Sequence, residues 1–449
     1  MIEGFTGQLI HAKHADFDTA RMGWNAMIDR RPALIACCES VEDVSSAVKH
    51  AAAHSMIAVA RGGGHSVSGA SLPEDGLMID LTLMNSIVVD PERQFAQVGG
   101  GALLGDLDVA TQAHGLAVTA GVEPSTGAGG LTLGGGIGFL ARKLGLTIDN
   151  LVSAQVVLAD GSIIETSEEE LPDLFWALRG GGGQFGIVTR FTFALHPVGP
   201  EVVVGQAWYP IEKAHEVMRF LRNTMQEASD DLGLVPAMLK VPPVEPFPAE
   251  FHGQHAIVMV GCHTGIPAQA HAELQPCLEL GDMIFGFVDN QSYVEFQKTF
   301  ADASPKGGRY YWKSIFVDDL SDDLVDVLLE GIRTIPGEYT QIFMEALGGA
   351  VARIGVTNTA FSNRGARWNL GISTGWVDPA MDESAVNATR AIAEKLMQFS
   401  DGTVYLNYLD RDEVARTRAG FGPNWERLAA IKAKYDPDNV FGGPLGGAG

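Results

Sequence analysis

The chain of 449 residues is longer than one typical domain, and its 46% hydrophobic content allows a large buried core. Its formal charge of -24, from 55 acidic and 31 basic side chains, repels phosphate backbones and anionic lipid, which argues against nucleic acid and membranes as partners. The sequence has no apolar run of about 18 residues and no secretory signal pattern, so we expect a cytoplasmic protein. The four cysteines form no CxxC pair and are expected to be reduced thiols.

The first part of the chain alternates short apolar runs with turns. Residues 33–38 (ALIACC) predict a strand, and residues 40–55 predict a helix that Ser40 opens, with Asp43 completing an approximate capping box. The run 57–61 (IAVAR) predicts a buried strand, so the glycine-rich loop with His65 leaves the end of a strand, where ligands commonly bind. Segments 77–90, 95–101 and 151–167 predict further strands, the last with a hairpin turn at Asp160-Gly161.

Residues 119–150 form a second glycine-rich segment, which contains more glycine than we expect of a packed helix. Three kinds of nucleotide site compete to explain this composition. A Walker A loop is excluded because no lysine follows these glycines in the required spacing. A Rossmann fingerprint is present as Gly181-x-Gly183-x-x-Gly186, but an alternating strand pattern follows it where a helix is required. The third kind, a non-Rossmann dinucleotide site, would bind pyrophosphate with backbone amides of several glycine loops and place the histidine near the redox ring.

The middle of the chain has fewer glycines, and residues 339–378 alternate like the strands of a sheet. Candidate residues of a cleft in this segment are Phe343, Glu345, Trp368 and Trp376. Glu345 is an alternative catalytic base, although a carboxylate on a strand more often faces solvent. No metal site is predicted, because the cluster His252, His255, Cys262 and His263 lacks the paired spacing of zinc ligands.

Five segments together, in this order, resemble the FAD-linked oxidases of the vanillyl-alcohol oxidase type, in the berberine-bridge-enzyme-like branch. They are 59–69 (VARGGGHSVSG), 127–151, 173–189, 405–408 (YLNY) and 435–441 (YDPDNVF). The resemblance implies an α+β fold with a PCMH-type FAD-binding domain of two α+β subdomains. A substrate domain built on a large antiparallel sheet backed by helices would complete it. The implied limits are 1–200 for the FAD-binding domain, 201–399 for the substrate domain, and 400–449 for a C-terminal segment that returns to the FAD domain.

The resemblance also implies the roles of individual residues. His65 would carry FAD through the 8α-methyl group of the flavin, and Tyr405 and Tyr408 would be the catalytic residues. Many members of this branch have a second tether through a cysteine, but Glu123 stands at that position here, so a single histidyl bond is implied. The implied contacts to the cofactor are Arg61, Gly62, Gly63, Gly64, His65, Ser66, Gly69, Gly121, Ser125, Thr126, Gly129, Gly130, Thr132, Gly135, Gly136, Gly138, Asn150, Gly186, Ile187, Val188, Tyr405 and Asn407.

The function implied is that of an FAD-dependent oxidase. It would transfer hydride from a C–H bond beside oxygen or nitrogen of a small organic substrate to flavin N5, and then pass the electrons to O2. The substrate could be an alkaloid, an amine, an alcohol or a sugar. The modest aromatic content of the middle segment slightly favours a small alkaloid-like molecule over a carbohydrate. Two alternatives stay open: a non-catalytic flavin-binding protein, and a dehydrogenase that uses an acceptor other than O2. The sequence does not indicate an oligomeric state.

Overall fold

The computed structural model describes residues 2–445, so residues 1 and 446–449 of the predicted domains lie outside the described residues. The strands in chain order are β1 (Gln8–Ile10), β2 (Leu34–Cys37), β3 (Ala58–Arg61), β4 (Leu77–Asp80), β5 (Ile87–Asp90), β6 (Phe95–Gly99), β7 (Leu116–Ala117), β8 (Leu151–Val157), β9 (Ile163–Ser167), β10 (Ile187–Ala194), β11 (His196–Pro197), β12 (Glu201–Pro210), β13 (Leu232–Lys240), β14 (His255–His263), β15 (Phe285–Ser292), β16 (Arg309–Val317), β17 (Gln341–Ala346) and β18 (Trp368–Trp376). The α-helices are α1 (Phe17–Ala20), α2 (Val41–Ala53), α3 (Leu104–Gln112), α4 (Ala128–Leu133), α5 (Ala141–Leu144), α6 (Pro172–Leu178), α7 (Ala214–Glu227), α8 (Pro267–Leu274), α9 (Tyr293–Phe296), α10 (Asp322–Thr334), α11 (Gly349–Arg353), α12 (Asp382–Leu396), α13 (Thr417–Phe421) and α14 (Trp425–Tyr435).

Besides the short antiparallel pair of β7 and β11, the first part of the chain forms two larger sheets. One has the strand order β1-β2-β4-β3, in which β2, β3 and β4 are parallel, and the other is antiparallel with the order β5-β6-β10-β8-β9. The predicted strands are present and the hairpin at Asp160-Gly161 between β8 and β9 is confirmed. The strand predicted as buried at 57–61 is the partly exposed edge strand β3, and segment 77–90 is divided between β4 and β5 of different sheets. The segment after the Rossmann-like glycines is the strand β10, so the helix that such a fingerprint needs is absent from this described segment.

Helix α2 begins where the sequence predicts, because the hydroxyl of Ser40 accepts a hydrogen bond from the backbone N–H of Asp43 (3.2 Å). The reciprocal half of the predicted capping box takes a different form. The Asp43 carboxylate accepts from the backbone N–H groups of Thr6 (2.7 Å) and Glu39 (3.1 Å) instead of from the N-cap itself. This carboxylate therefore ties the N-terminal segment to the start of the helix.

The middle part forms an antiparallel sheet with the order β15-β12-β14-β13-β17-β18-β16. Side chains of α7, α10 and α12, among them Val217, Leu328 and Ile392, cover one face. The other face packs against the first part of the chain: Phe139 from that part and Val235 of β13 belong to one core cluster. The predicted α+β fold with a large antiparallel sheet backed by helices is confirmed, and both faces of this sheet are buried.

The C-terminal segment packs on the first part of the chain. Leu428 and Ile431 of α14 share a core cluster with Phe175 of α6. The ammonium group of Lys432, which is 2% exposed, donates to the Gln184 carbonyl at 2.8 Å and to the Asp436 carboxylate at 2.6 Å. Within residues 2–445, no helix is both long and apolar enough to span a bilayer.

Candidate active site

A cavity of about 960 Å³ lies where the glycine-rich loops meet the large sheet. Many of the sequence-predicted cofactor contacts line it together with both predicted catalytic tyrosines. These residues are Gly62, Gly63, Gly64, His65, Ser66, Gly121, Thr126, Gly129, Gly130, Gly186, Val188, Tyr405, Asn407 and Tyr408. Strands β13, β16 and β17 supply the opposite wall, so the cavity joins segments that are more than 200 residues apart in the chain.

The glycines before His65 bring two loops into backbone contact. A Cβ atom on Gly62 would lie 2.8 Å from the carbonyl oxygen of Gly100, and one on Gly63 would overlap the backbone of Gly127. Gly64 has a φ of +68°, a conformation that other residues rarely adopt. Gly62 and Gly63 are therefore explained by contact between protein loops, before any contact with a ligand is considered.

Two glycines on the cavity wall have no such explanation. A Cβ atom on Gly130 would meet nothing within 4 Å, and one on Gly183 would make only an ordinary contact of 3.6 Å with Leu133. Gly130 lies within α4, so the expectation that this segment is too glycine-rich for a packed helix was wrong. Glycine lowers helix stability, and its presence on an open wall is explained if the wall lies directly against a bound group. The cavity wall at Gly130 and Gly183 therefore fits a large flat cofactor such as FAD.

Replacing Gly130 with alanine is expected to stabilise the apoprotein by about 0.5–1 kcal/mol, because it improves helix propensity without a clash. The same change should weaken FAD binding, because the new methyl group occupies the cavity. Urea unfolding of the apoprotein and titration with FAD measure the two effects. Gly129→Ala is the matched control: its Cβ would meet Phe191 at 3.2 Å, so no comparable gain is expected there. A variant that gains stability and binds FAD normally would contradict this assignment of Gly130.

The imidazole of His65 is held on one side by a stack of aromatic rings. The Trp24 ring stacks on the imidazole, with ring centroids 4.6 Å apart. The Tyr310 ring stacks on Trp24 in turn, with ring centroids 4.0 Å apart. The His65 Nε2 atom lies 2.8 Å from the Ser125 hydroxyl oxygen. Burial, with the nearby Lys306 ammonium group, lowers the pKa of His65 to about 4. The ring is therefore neutral at physiological pH, and a neutral imidazole has the lone pair that a nucleophile needs.

The two predicted catalytic tyrosines lie close together, with ring centroids 4.8 Å apart, but their hydroxyl groups differ. The Tyr405 oxygen accepts hydrogen bonds from the backbone N–H of Gly136 (3.0 Å) and from Nδ2 of Asn407 (2.8 Å). The Tyr408 hydroxyl donates to Oε1 of Glu345 at 3.0 Å. Tyr405 is therefore an acceptor for its neighbour Asn407 and for the second glycine-rich segment, whereas Tyr408 is paired with a carboxylate.

Glu345 lies on the cavity wall and is only 3% exposed, so the expectation that a strand carboxylate faces solvent was wrong for it. The physical reason is that both faces of the large sheet are covered. Residues 342, 344 and 346 of β17 face the helices, and Phe343 and Glu345 face the cavity. Nδ2 of Asn369 donates to Oε2 of Glu345 at 2.6 Å. Burial nevertheless raises the pKa of Glu345 to about 7.

Comparison with known proteins agrees with these features. Residues 32–167 match a family model described as an FAD binding domain, and residues 404–446 match one described as berberine and berberine like. The FAD-linked oxidoreductase YgaK of Bacillus subtilis is 31% identical over 97% of this chain and 95% of its own. The chain belongs to the berberine-bridge-enzyme-like FAD-linked oxidoreductases. The predicted family and the PCMH-type fold are thereby confirmed.

Solved structures of this family superpose over almost the whole chain. That of 6-hydroxy-D-nicotine oxidase from Arthrobacter nicotinovorans has a TM-score of 0.87 and 25% identity, covering 97% of this chain and 96% of its own. That of glucooligosaccharide oxidase from Acremonium strictum, described with a 6-S-cysteinyl, 8α-N1-histidyl FAD, has a TM-score of 0.86 and 26% identity, covering 98% and 96%.

Some residues that the family resemblance implied as cofactor contacts do not line the cavity: Arg61, Gly69, Ser125, Thr132, Gly135, Gly136, Gly138, Asn150 and Ile187. Their own contacts shape the loops around it. Arg61 pairs with the Asp80 carboxylate, and Asn150 donates to the carbonyl groups of Leu144 and Leu146, both at 3.0 Å. A direct contact of these residues with FAD stays a prediction.

The expectation that Trp368 and Trp376 are cleft residues of this FAD-linked oxidoreductase was wrong. Trp368 packs in the core under the helices, and the indole N–H of Trp376 donates to the Asp382 carboxylate at 2.8 Å. Even-numbered residues of β18 face the helices. Which set of alternating residues faces the helices is decided by how the strand pairs with its neighbours, so the sequence pattern alone did not reveal it. Sequence reasoning missed Trp24 and Trp312, which do line the cavity. Neither stands in a glycine motif, so no local signal pointed to them.

Proposed function

We propose that this protein is a cytoplasmic FAD-dependent oxidase whose FAD is bound covalently through His65. It would oxidise a C–H bond beside oxygen or nitrogen of a small organic substrate and pass the electrons to O2. One observation carries the proposal: a single cavity brings His65 and the open glycine wall together with the buried pair of Tyr408 and Glu345. The free thiols of all four cysteines support a reducing compartment.

The proposed roles of the different parts of the chain follow the predicted domain limits. Residues 1–200 and 400–449 would bind FAD, and residues 201–399 would cover the substrate. FAD, when bound, accepts a hydride at N5 of its ring. The residues that would hold it are His65 and the glycines of the loops around 62–64, 129–130 and 181–183, all of which line the cavity. Contribution from both parts of the chain is typical of a site at a domain junction.

The residues of the large sheet would handle the proton of the substrate. Burial beside Glu345 raises the pKa of Tyr408 well above its usual value, so a free phenolate is disfavoured. The Glu345 carboxylate accepts the proton of the Tyr408 hydroxyl group, while the tyrosine oxygen takes the proton of a substrate O–H or N–H group. Two linked transfers avoid a buried phenolate, and they require Glu345 to be ionised before the reaction.

Aromatic rings form the substrate side of the cavity. Trp312 lies 4.9 Å from Tyr408 and 5.7 Å from Phe343, measured between ring centroids. The modest aromatic content of the middle segment therefore does not describe the cavity itself, and the sequence-based preference for an alkaloid over a sugar loses its reason. A ring-bearing alcohol, amine or sugar fits this wall, since aromatic faces bind flat or apolar ring surfaces.

Anaerobic titration of the purified holoprotein tests the proposal. A panel of alcohols, cyclic amines and oligosaccharides is added, and loss of the oxidised flavin absorbance is followed. We expect at least one class to bleach the flavin, and air to restore the colour with formation of hydrogen peroxide. Bleaching that only an artificial acceptor reverses would indicate a dehydrogenase. A flavin that no class bleaches would favour a binding protein without turnover.

A further inference from the structure

Glu123 and Ser125 form a hydrogen-bonded chain that ends on His65. The Ser125 hydroxyl donates to Oε1 of Glu123 at 2.8 Å, and the Ser125 backbone N–H donates to the same oxygen at 3.0 Å. The Ser125 oxygen in turn lies 2.8 Å from Nε2 of His65. Both His65 and Glu123 line the cavity. The carboxylate therefore reaches the candidate tether through one hydroxyl group.

The direction of each bond follows from the number of hydrogens available. A carboxylate can only accept, so the single hydroxyl hydrogen of Ser125 is directed at Glu123. The Ser125 oxygen can then only accept from His65, which places the imidazole hydrogen on Nε2 and the lone pair on Nδ1. Among residues 2–445, no partner hydrogen-bonds to Nδ1. The nitrogen that is free to form a bond is thus Nδ1.

We propose that Glu123 and Ser125 are positioning residues for covalent attachment of the flavin, holding His65 with Nδ1 as the nucleophile and receiving its Nε2 proton as the bond forms. This inference rests on the proposed tether at His65. It assigns a role to Glu123, which the family resemblance places where many members have a second tethering cysteine. The same position would here assist the one remaining bond.

The attachment balances with dioxygen as the oxidant. One C–H bond of the 8α-methyl group breaks and one C–N bond to Nδ1 forms. The two electrons of the C–H bond pass into the flavin and then to dioxygen. The proton from the methyl group and the proton from Nε2, the latter by way of Ser125 and Glu123, leave with these electrons as hydrogen peroxide. No other reductant or oxidant is required.

Charged and titratable groups around Glu123, Ser125 and His65 determine how the rate of flavin attachment depends on pH. Burial raises the pKa of Glu123, the Ser125 bonds oppose this, and the Asp302 carboxylate adds to the increase. The positive charge of Lys306 adds to the lowering of the His65 pKa, and the negative charge of Glu123 adds to the raising of the Tyr310 pKa. Since only the ionised carboxylate can receive the proton, attachment should accelerate as pH rises through the pKa of Glu123 and then level off.

The test measures attachment, not turnover. Full-length apoprotein from riboflavin-limited cells is mixed with FAD in air, quenched in acid, and the flavin that stays in the protein pellet is followed with time. The variants are Ser125→Ala and Glu123→Gln, with Ser125→Thr to restore the hydroxyl group and Glu92→Gln as the control for loss of an exposed carboxylate. Quenching of FAD fluorescence measures reversible binding, and thermal unfolding checks the fold.

We expect attachment to slow about 100-fold in Ser125→Ala and Glu123→Gln, the lower end of the range for loss of a positioned proton acceptor. Ser125→Thr and Glu92→Gln should attach FAD at the wild-type rate, and Glu123→Gln should lose the rise with pH. Wild-type rates in both variants, or loss of reversible FAD binding together with attachment, would overturn the role in attachment. If wild-type protein attaches no FAD, the tether and this inference both fail, whereas the anaerobic substrate titration still decides the oxidase activity.

Discussion

Tyr408→Phe is expected to slow reduction of the flavin by substrate about 100- to 10,000-fold, the range typical for removal of a catalytic acid or base. The phenylalanine ring keeps the aromatic wall with Trp312 but cannot transfer a proton to Glu345. Stopped-flow measurement of flavin bleaching under anaerobic conditions isolates this step from reoxidation. Reversible binding of substrate should change little, so the effect should appear in kcat more than in KM.

The pH dependence gives a second readout of the same pair. Glu345 must be ionised to accept the proton, and its pKa is raised to about 7, so bleaching should accelerate as pH rises through about 7. Glu345→Gln should be slow at every pH and lose this rise. Tyr435→Phe is the control for a tyrosine change, because it removes a hydroxyl group that is hydrogen-bonded to Asp173 of α6. A Tyr408→Phe enzyme with a wild-type rate, or a rate that falls through pH 7, would contradict the proton transfer.

His65→Ala is expected to abolish covalent attachment completely, because alanine has no nucleophilic atom and His65 is the only histidine among the described residues that line the cavity. After acid denaturation, wild-type protein should keep the flavin colour in the pellet and show an intact mass increased by one FAD. The variant should release all flavin into the supernatant. The neutral state of His65 at physiological pH, with its pKa lowered to about 4, is what allows it to act as the nucleophile.

The exposed His114→Ala serves as the control, since it removes an imidazole that does not line the cavity. Its pellet should be as yellow as that of the wild type. Colour that persists in the His65→Ala pellet would show that another side chain holds the flavin. Colour that washes out of the wild-type pellet would leave the family membership intact and remove the covalent bond.

Local patterns predicted the glycine loops, the strand before His65 and the hairpin at Asp160-Gly161, because turns and short strands depend on neighbouring residues. The orientation of Glu345 could not be predicted, because it depends on elements packed over both faces of a sheet. The stack of Trp24 on His65 joins residues 41 positions apart through tertiary contacts alone. Family resemblance pointed to Glu123 as an exception, but only the fold shows that Ser125 connects it to His65.

The stack on His65 makes the ring's orientation conditional on the assembly of the whole molecule. Trp24 comes from the N-terminal segment, and its indole N–H donates to the carbonyl oxygen of Ser304 at 3.0 Å, while Tyr310 of β16 covers its ring. These contacts exist only after the large sheet has docked on the glycine loops. Flavin colour that survives denaturation would therefore identify chains that have folded correctly at least once. Each labelled chain must have brought the large sheet and the glycine loops together, even if it later unfolds.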